Sequence, residues 1–107
     1  MAVNSERITN LLSMAQRARR IVSGAFAVQQ AAQKKQAVLL LVATDAAAET
    51  KNNCQAMAEK YGIPYTEVLD RERLGSCLGK EYRAMAALTD AGFARKLSEL
   101  LEEKHMS

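Results

Sequence analysis

The sequence predicts a layered α/β protein in which helices cover both faces of a sheet of about four strands. Residues 37–45, AVLLLVATD, form the longest apolar run, which is too short to span a membrane and suits a strand buried on both faces. Helical and strand-like patterns also alternate along the whole chain, without a linker or an internal repeat. Alternation of this kind is typical of layered α/β domains.

Length and composition agree with this fold class. A chain of 107 residues makes one domain, residues 1–107, and a domain of this size buries roughly 65% of its unfolded surface. Its two cysteines fit no metal-ligand spacing, and nothing near its start is typical of a signal peptide. We therefore expect a monomeric, cytoplasmic protein with no cofactor, no metal and no membrane partner.

The first helix is expected to begin at Ser5, whose hydroxyl can cap the N–H of Ile8. It ends in residues 17–20, RARR. Cations are favoured there by the helix dipole, although three arginines in four residues exceed what the dipole requires. The apolar stripe of this helix, at helical spacing, consists of Ile8, Leu11, Leu12 and Ala15.

A short strand at residues 21–22 precedes Ser23 and Gly24, and a second helix covers residues 25–34. The Ser-Gly junction has two interpretations. It is an ordinary N-cap, or a place where glycine lets a phosphate approach the free N–H groups of the next helix. Phe26 is either packed in the core or exposed beside this junction, where an aromatic ring can stack on a base.

The central run ends at Thr44 and Asp45, which should lie at the carboxyl end of a strand, where open α/β sheets present binding loops. The helix that follows is expected to bury a stripe of small and apolar side chains: Ala47, Cys54, Met57, Ala58 and Tyr61. This helix is expected at 46–61, with Gly62 as its stop. A strand follows at 63–68, with Pro64 near its start, and then a helix at 71–78 capped by Asp70. The last elements are a charged loop at 80–83, a strand at 84–88 and a helix at 91–104 capped by Thr89 and Asp90.

Charge is unevenly distributed along the chain. Residues 1–35 hold six basic and one acidic side chain, and residues 71–96 hold six basic and three acidic ones, whereas 36–70 and 97–107 carry net charges of −3 and −2. Two basic sectors that converge on one face would form a footprint for a polyanion. The other interpretation is ordinary scatter of charge over solvated helix faces.

The sequence contains no arrangement of a nucleophile with a base. Its one histidine, His105, falls in the C-terminal tail and is expected to be solvated, so a histidine general base has no candidate inside the fold. Asp45 and Glu49 lie four residues apart and can hold a cation, but capping of the following helix explains them better. Neither a Gly-rich dinucleotide motif nor a P-loop is present. These observations disfavour an enzyme.

What remains is a basic edge with several hydrogen-bond donors, at the first two strand-to-helix junctions and around the fourth helix. Loops that meet at one edge can contact one ligand. Cations, amides and an aromatic ring suit the phosphates and base edges of structured RNA. The candidates are Arg19, Arg20, Ser23, Gly24, Phe26, Gln29, Gln30, Thr44, Thr50, Lys51, Arg71, Arg73, Lys80 and Arg83.

Five segments together resemble a known family in their order and spacing: AQRARRIVSG, AVLLLVATDAAAETK, IPY, LGSCLGKEYR and LTDAGFARKL. From about residue 7 to about residue 101, the chain is similar to the bacterial YlxQ/YbxF branch of the L-seven-Ae / L-thirty-e ribosomal-protein family of kink-turn RNA binders. The resemblance implies a non-catalytic three-layer α/β/α sandwich with a mixed sheet of about four strands. It also implies that this domain contacts RNA through the start of the second helix and the loop after the central strand. It also implies contacts from the loop formed by Lys80, Glu81, Tyr82 and Arg83.

The chain departs from the family on the second helix. Gly24 matches the family's glycine. The family then tends to place Asn or Glu, next Glu, and three residues later Lys, which read sheared guanine–adenine pairs; this chain has Phe26, Ala27 and Gln30. Ala27 cannot accept a hydrogen bond from guanine, and Gln30 keeps hydrogen-bonding capacity without the charge of Lys. Arg19 stands where bacterial relatives commonly have Gly and adds a cation.

The resemblance therefore implies binding of kink-turn-like or ribosomal RNA, in association with ribosomes or other structured RNAs, with weaker or altered base readout. The alternative is a protein-interaction module that keeps the fold without the RNA, because fold alone does not determine function. A small nucleotide-binding or catalytic α/β domain is the third interpretation.

Overall fold

The computed structural model describes the backbone of residues 2–106 and the side chains of residues 5–102, so the side chain of His105 lies outside the described residues. Helices and strands alternate along the described chain as predicted. Their bounds are α1 Ala2–Arg17, β1 Ile21–Ser23, α2 Ala25–Gln33, β2 Leu39–Val42, α3 Ala48–Tyr61, β3 Tyr65–Glu67, α4 Arg71–Cys77, β4 Met85–Leu88 and α5 Ala91–Met106.

The strands form one mixed sheet in the order β1-β4-β2-β3. β2 and β3 are parallel, whereas β4 is antiparallel to both of its neighbours, β1 and β2. The predicted mixed sheet is thus confirmed, and β4 runs against the other three strands. As a result, the carboxyl ends of β1, β2 and β3 and the beginning of β4 lie at one edge of the sheet.

Helices cover both faces of this sheet. α1 contacts α4 and α5 in one layer, and α2 contacts α3 in the other. All four residues of β2 and all four of β4 are buried, as expected for strands between two helical layers. The predicted stripe of α1 is confirmed, because Ile8, Leu11, Leu12 and Ala15 are all buried.

The ends of α1 differ from the prediction. The helix begins at Ala2, so Ser5 lies inside it and is not its N-cap. It ends at Arg17, and Arg19 has the left-handed φ of 60°. The Arg20 N–H donates to the Ala15 carbonyl at 2.8 Å, which closes the last turn. A left-handed residue just past a helix end is usually Gly, so Arg19 occupies a position where a side chain carries a conformational cost.

The other helix ends are mostly as predicted. Gly62 ends α3 in the left-handed conformation, and Asp70 caps α4 by accepting the Arg73 N–H at 2.7 Å. Asp90 accepts the Phe93 N–H at 3.0 Å at the start of α5. α3 begins two residues later than predicted, and Ala47 is exposed at its N-cap rather than part of the buried stripe.

The two cysteines are internal. Cys54 is fully buried, as predicted, and Cys77 is half-buried on α4. Desolvation by burial raises the pKa of each thiol from 9.0 to about 11, so both are protonated at neutral pH and are poor nucleophiles. Within the described chain, none of the helices is both long enough and apolar enough to cross a membrane.

Candidate nucleic-acid interface

Four connections meet at the edge described above, which we call the loop edge. It comprises residues 23–30, 44–51, 67–73 and 79–84, and backbone hydrogen bonds hold these segments together. Thr44 N–H donates to the Leu69 carbonyl at 2.7 Å, and Gly24 N–H donates at 3.1 Å to the carbonyl of Met85, the residue that follows the fourth segment. The loops therefore form one continuous surface, as the antiparallel direction of β4 requires.

Arg83 ties the loop before β4 to the end of β1. Its Nε donates to the Ser23 Oγ at 3.0 Å, and its Nη1 donates to the Tyr82 carbonyl at 2.9 Å. Its backbone N–H donates to the Arg71 carbonyl at 3.1 Å. Ser23 therefore orients Arg83 and does not cap α2. The N-cap of α2 is Gly24, with a φ of 91° and no side-chain cap, so glycine is required there by the backbone.

Asp45 caps a different helix from the one predicted. Its Oδ1 accepts the Arg71 N–H, the first helical N–H of α4, at 2.9 Å and lies 3.5 Å from the Arg71 Nε. α4 is thus capped twice, once by the adjacent Asp70 and once by Asp45 from across the loop edge. The prediction that Asp45 caps the helix that follows it was wrong, because its partner lies 26 residues further along the chain.

Replacement of Asp45 by Ala is expected to lower the free energy of unfolding by about 0.5–2 kcal/mol, the usual effect of removing a cap. Asp45→Asn keeps an acceptor oxygen and should lose less. Urea denaturation measures both. The matched control is Glu49→Ala, four residues later, whose carboxylate has no hydrogen bond or ion pair within the described side chains. A control loss as large as that of Asp45→Ala would contradict the cap.

The loop at residues 80–83 packs directly on α4 at Gly75. Lys80 N–H donates to the Gly75 carbonyl at 2.8 Å. A Cβ at Gly75 would lie 2.8 Å from the backbone C and O of Glu81 and from the Cα of Tyr82. Sequence reasoning did not identify Gly75 as part of the site. The sequence signal that could have identified it is a glycine inside a short helix. Such a glycine lowers helix stability by about 1 kcal/mol relative to Ala, so its presence usually indicates close packing against another segment.

Two aromatic side chains are exposed at the loop edge. Phe26, on the first turn of α2, is 74% exposed, and Tyr82, in the loop before β4, is 62% exposed. The core interpretation of Phe26 is therefore wrong. The rings lie on segments that the Arg83–Ser23 hydrogen bond joins, so both belong to the loop edge.

The remaining candidates on these segments differ in exposure. Gln29, Gln30, Thr44, Lys80 and Glu81 are exposed, whereas Ala27 and Thr50 are half-buried. The Lys51 Nζ lies 3.3 Å from the Glu67 Oε1, so the charge of Lys51 is balanced within the protein.

Arg19 and Arg20 do not lie at the loop edge, which corrects the prediction that they join Ser23 and Gly24. The Thr89 N–H donates to the Arg20 carbonyl at 2.9 Å, which places Arg20 beside the end of β4, whereas Gly24 lies beside its beginning. Four residues of extended chain, at about 3.3 Å each, separate Arg20 from Gly24 by roughly 13 Å.

The cations of the first sector therefore do not join Arg71, Arg73, Lys80 and Arg83 of the second sector at the loop edge. The loop edge carries five cations, Lys51, Arg71, Arg73, Lys80 and Arg83, against six carboxylates, Asp45, Glu49, Glu67, Asp70, Glu72 and Glu81. Among the described residues, no three of its acidic side chains are arranged to hold a metal ion. The N-termini of α2 and α3 also point to this edge without side-chain caps, so their free N–H groups favour anions.

Comparison with known proteins points to one family. Residues 6–98 match the ribosomal protein L7Ae/L30e/S12e/Gadd45 family. A Bacillus subtilis (strain 168) protein named RNA-binding protein YlxQ is 40% identical over 92 residues, covering 86% of this chain and 92% of the relative. An Enterococcus faecium protein of the same name is 28% identical over 99 residues, covering 92% and 95%.

A solved structure has the same fold. It is of a protein with unknown function from Bacillus halodurans C, and it matches with a TM-score of 0.83 and 36% identity, covering 89% of this chain and 96% of that one. The alternation of elements, the mixed four-stranded sheet and the family match across most of the length agree with one another. This chain therefore belongs to the ribosomal protein L7Ae/L30e/S12e/Gadd45 family.

Proposed function

We propose that this chain binds structured RNA through the loop edge, without catalysis. The observation that carries the proposal is the presence of Phe26 and Tyr82, both exposed, on segments joined by the Arg83–Ser23 hydrogen bond. Exposed aromatic rings stack on unpaired bases, and structured RNA offers such bases in bulges and loops. The names of the Bacillus subtilis and Enterococcus faecium relatives, RNA-binding protein YlxQ, support this proposal.

The proposed RNA is kink-turn-like, bound with weaker base readout than is usual for the family. Ala27 has no acceptor for a guanine edge, and Gln30 is exposed but uncharged. Each bidentate base contact provides about 1–3 kcal/mol of discrimination on the scale known for DNA. Without two such contacts, binding depends on stacking and on phosphate contacts, which carry little sequence information.

A titration tests this readout. A consensus kink-turn RNA and a version with its sheared guanine–adenine pairs replaced are titrated with the protein at several salt concentrations. We expect the two affinities to differ by less than about fivefold, since one bidentate contact alone contributes about 5- to 150-fold, and both to fall as salt rises. Discrimination above a hundredfold with a shallow salt dependence would contradict the proposal.

A protein-interaction module is the second candidate, and one observation favours it. The loop edge has no excess of cations, and exposed Tyr and Phe side chains are also typical of protein interfaces. Substitutions at two exposed neighbours of opposite charge, Lys80 and Glu81, distinguish RNA binding from protein interaction. Lys80→Glu should weaken RNA binding severalfold, whereas the matched control Glu81→Lys should preserve or strengthen it. If neither change affects RNA binding, the loop edge is not an RNA surface.

We also propose that the bound RNA is ribosomal and that the protein acts in the cytoplasm. Co-sedimentation of the purified protein with ribosomal subunits tests the association. Loss of co-sedimentation in Lys80→Glu, but not in Glu81→Lys, would link it to the loop edge.

A further inference from the structure

Seven exposed cations lie at the edge of the sheet opposite the loop edge. They come from the end of α1 and the residues after it, the end of α2, and the second turn of α5. In the corresponding segments, residues 17–20, 34–36 and 89–96, Asp90 is the one carboxylate, and it is engaged as the cap of α5. The end of α3 at the same edge adds one exposed pair of opposite charge, Glu59 and Lys60. We call this group the distal basic surface: Arg17, Arg19, Arg20, Lys34, Lys35, Arg95 and Lys96.

The sheet brings these segments together around the end of β4. The Arg20 carbonyl, before β1, accepts the Thr89 N–H at 2.9 Å, and the Val38 N–H, before β2, donates to the Leu88 carbonyl at 2.8 Å. α5 begins at Ala91, three residues after β4 ends. The cations before β1 and β2 and those on α5 thus flank the same end of one strand.

Two of these cations occupy unfavourable backbone positions. Arg19 and Lys35 both have a φ of 60° just past the ends of α1 and α2, where Gly is the usual residue, as Gly62 is after α3. None of the seven cations has an ion pair within the described side chains. The dipole of a helix favours a cation in its last turn, but it does not require a charged residue in the left-handed position beyond that turn.

We propose that the distal basic surface binds the phosphate backbone of a second RNA segment, so that the domain bridges two RNA segments at opposite edges. The choice of RNA rests on the proposed function. α3, with 14 residues, spans about 21 Å from one edge to the other, so RNA at the loop edge leaves the distal surface accessible. Arg and Lys side chains are common partners of backbone phosphates, and the surface consists of these side chains.

The exposed apolar side chains argue against a protein partner at this surface. Among the described residues, the large exposed hydrophobic side chains are Met14, Phe26 and Tyr82. Phe26 and Tyr82 belong to the loop edge, and Met14 lies one turn before Arg17. The distal surface therefore lacks the aromatic core that protein interfaces usually have.

The test uses the full chain saturated with a short, unlabelled kink-turn hairpin. A labelled RNA duplex of about 12 base pairs, a length we choose as roughly one helical turn, is then titrated by fluorescence anisotropy at several salt concentrations. The duplex should bind at low salt, with an affinity that falls steeply as salt rises. The double variant Arg19→Gly with Lys35→Gly removes two charges and keeps the left-handed backbone.

For this variant we expect duplex affinity to fall at least about fivefold. The slope of log affinity against log salt concentration should become shallower by about two, since each of the two lost phosphate contacts accounts for about one. The variant's melting temperature should be equal or higher, because Gly is unstrained at these positions, and hairpin affinity should stay unchanged. Lys80→Gln is the control at the loop edge, and it should weaken hairpin binding while leaving duplex binding unchanged.

Absence of duplex binding to the hairpin-saturated protein, or an unchanged duplex affinity in the double variant, would overturn the proposal. If the hairpin itself does not bind, the proposed function fails, and duplex titration of the free protein still tests the distal surface. Tighter binding of poly-glutamate than of duplex, at equal concentrations of charge, would assign the surface to an acidic protein and would also overturn the proposal.

Discussion

Replacement of Gly75 by Ala is expected to lower the free energy of unfolding by about 1–3 kcal/mol, the usual cost of overpacking. In a helix with space around the glycine, the same change stabilises a protein by about 0.5–1 kcal/mol. The sign of the change in the free energy of unfolding therefore shows whether the loop packs on Gly75. The new Cβ would lie 2.8 Å from backbone atoms of Glu81 and Tyr82, and backbone cannot move aside as the end of a flexible side chain can. Urea denaturation measures the effect.

Gly75→Ala should also weaken RNA binding, because the displaced loop carries Tyr82 and Arg83. Titration well below the melting temperature of the variant separates this effect from loss of folded protein. Ser76→Ala, at the next position of α4, is the matched control, since Ser76 is exposed and should change stability by no more than about 0.5 kcal/mol. A more stable Gly75→Ala with unchanged RNA affinity would contradict the packing of this loop on α4.

The second large effect is expected from the two exposed rings. Phe26→Ala and Tyr82→Ala should each weaken RNA binding by about 5- to 150-fold, which corresponds to 1–3 kcal/mol for the loss of one base stacked on an aromatic ring. The folded state should change little, because the two side chains are 74% and 62% exposed and such substitutions usually stay within about 0.5 kcal/mol. Fluorescence anisotropy and thermal denaturation measure the two quantities.

Conservative changes separate stacking from other roles. Tyr82→Phe keeps a ring and should retain most of the affinity, whereas loss of affinity would indicate that the hydroxyl is the contact. Met14→Ala is the control for removal of an exposed apolar side chain, since Met14 is 50% exposed on α1, away from the loop edge. RNA affinity within twofold of the original protein for both Phe26→Ala and Tyr82→Ala would show that the rings do not stack on bases.

Many features of the fold could be predicted because their causes are local. Residues 37–45 predicted a buried strand, and β2 is buried at all four of its positions. Gly62 and Asp70 were predicted to end α3 and cap α4, and each does so through atoms within four residues of itself. Interactions between residues this close in sequence can be predicted from the local residue pattern.

The candidate site was predicted in part. The junction at Gly24, the loop after β2 and the loop at residues 80–83 do meet at one edge. The exposure of Phe26, the bond from Arg83 to Ser23 and the packing of the loop on Gly75 depend on residues distant in sequence. No local pattern distinguishes Ser23 as a cap from Ser23 as the partner of a residue 60 positions away.

By itself, the sequence determined the alternation of helices and strands, the buried central strand and the family of this protein, because periodicity, capping and motif spacing are properties of short segments. Only the tertiary structure decided where the charge lies. β4 runs against its neighbours, so the chain before β1 meets the end of β4, and the chain after β1 meets its beginning. Arg19 and Arg20 are therefore on the edge opposite Gly24, although no more than five residues of sequence separate them.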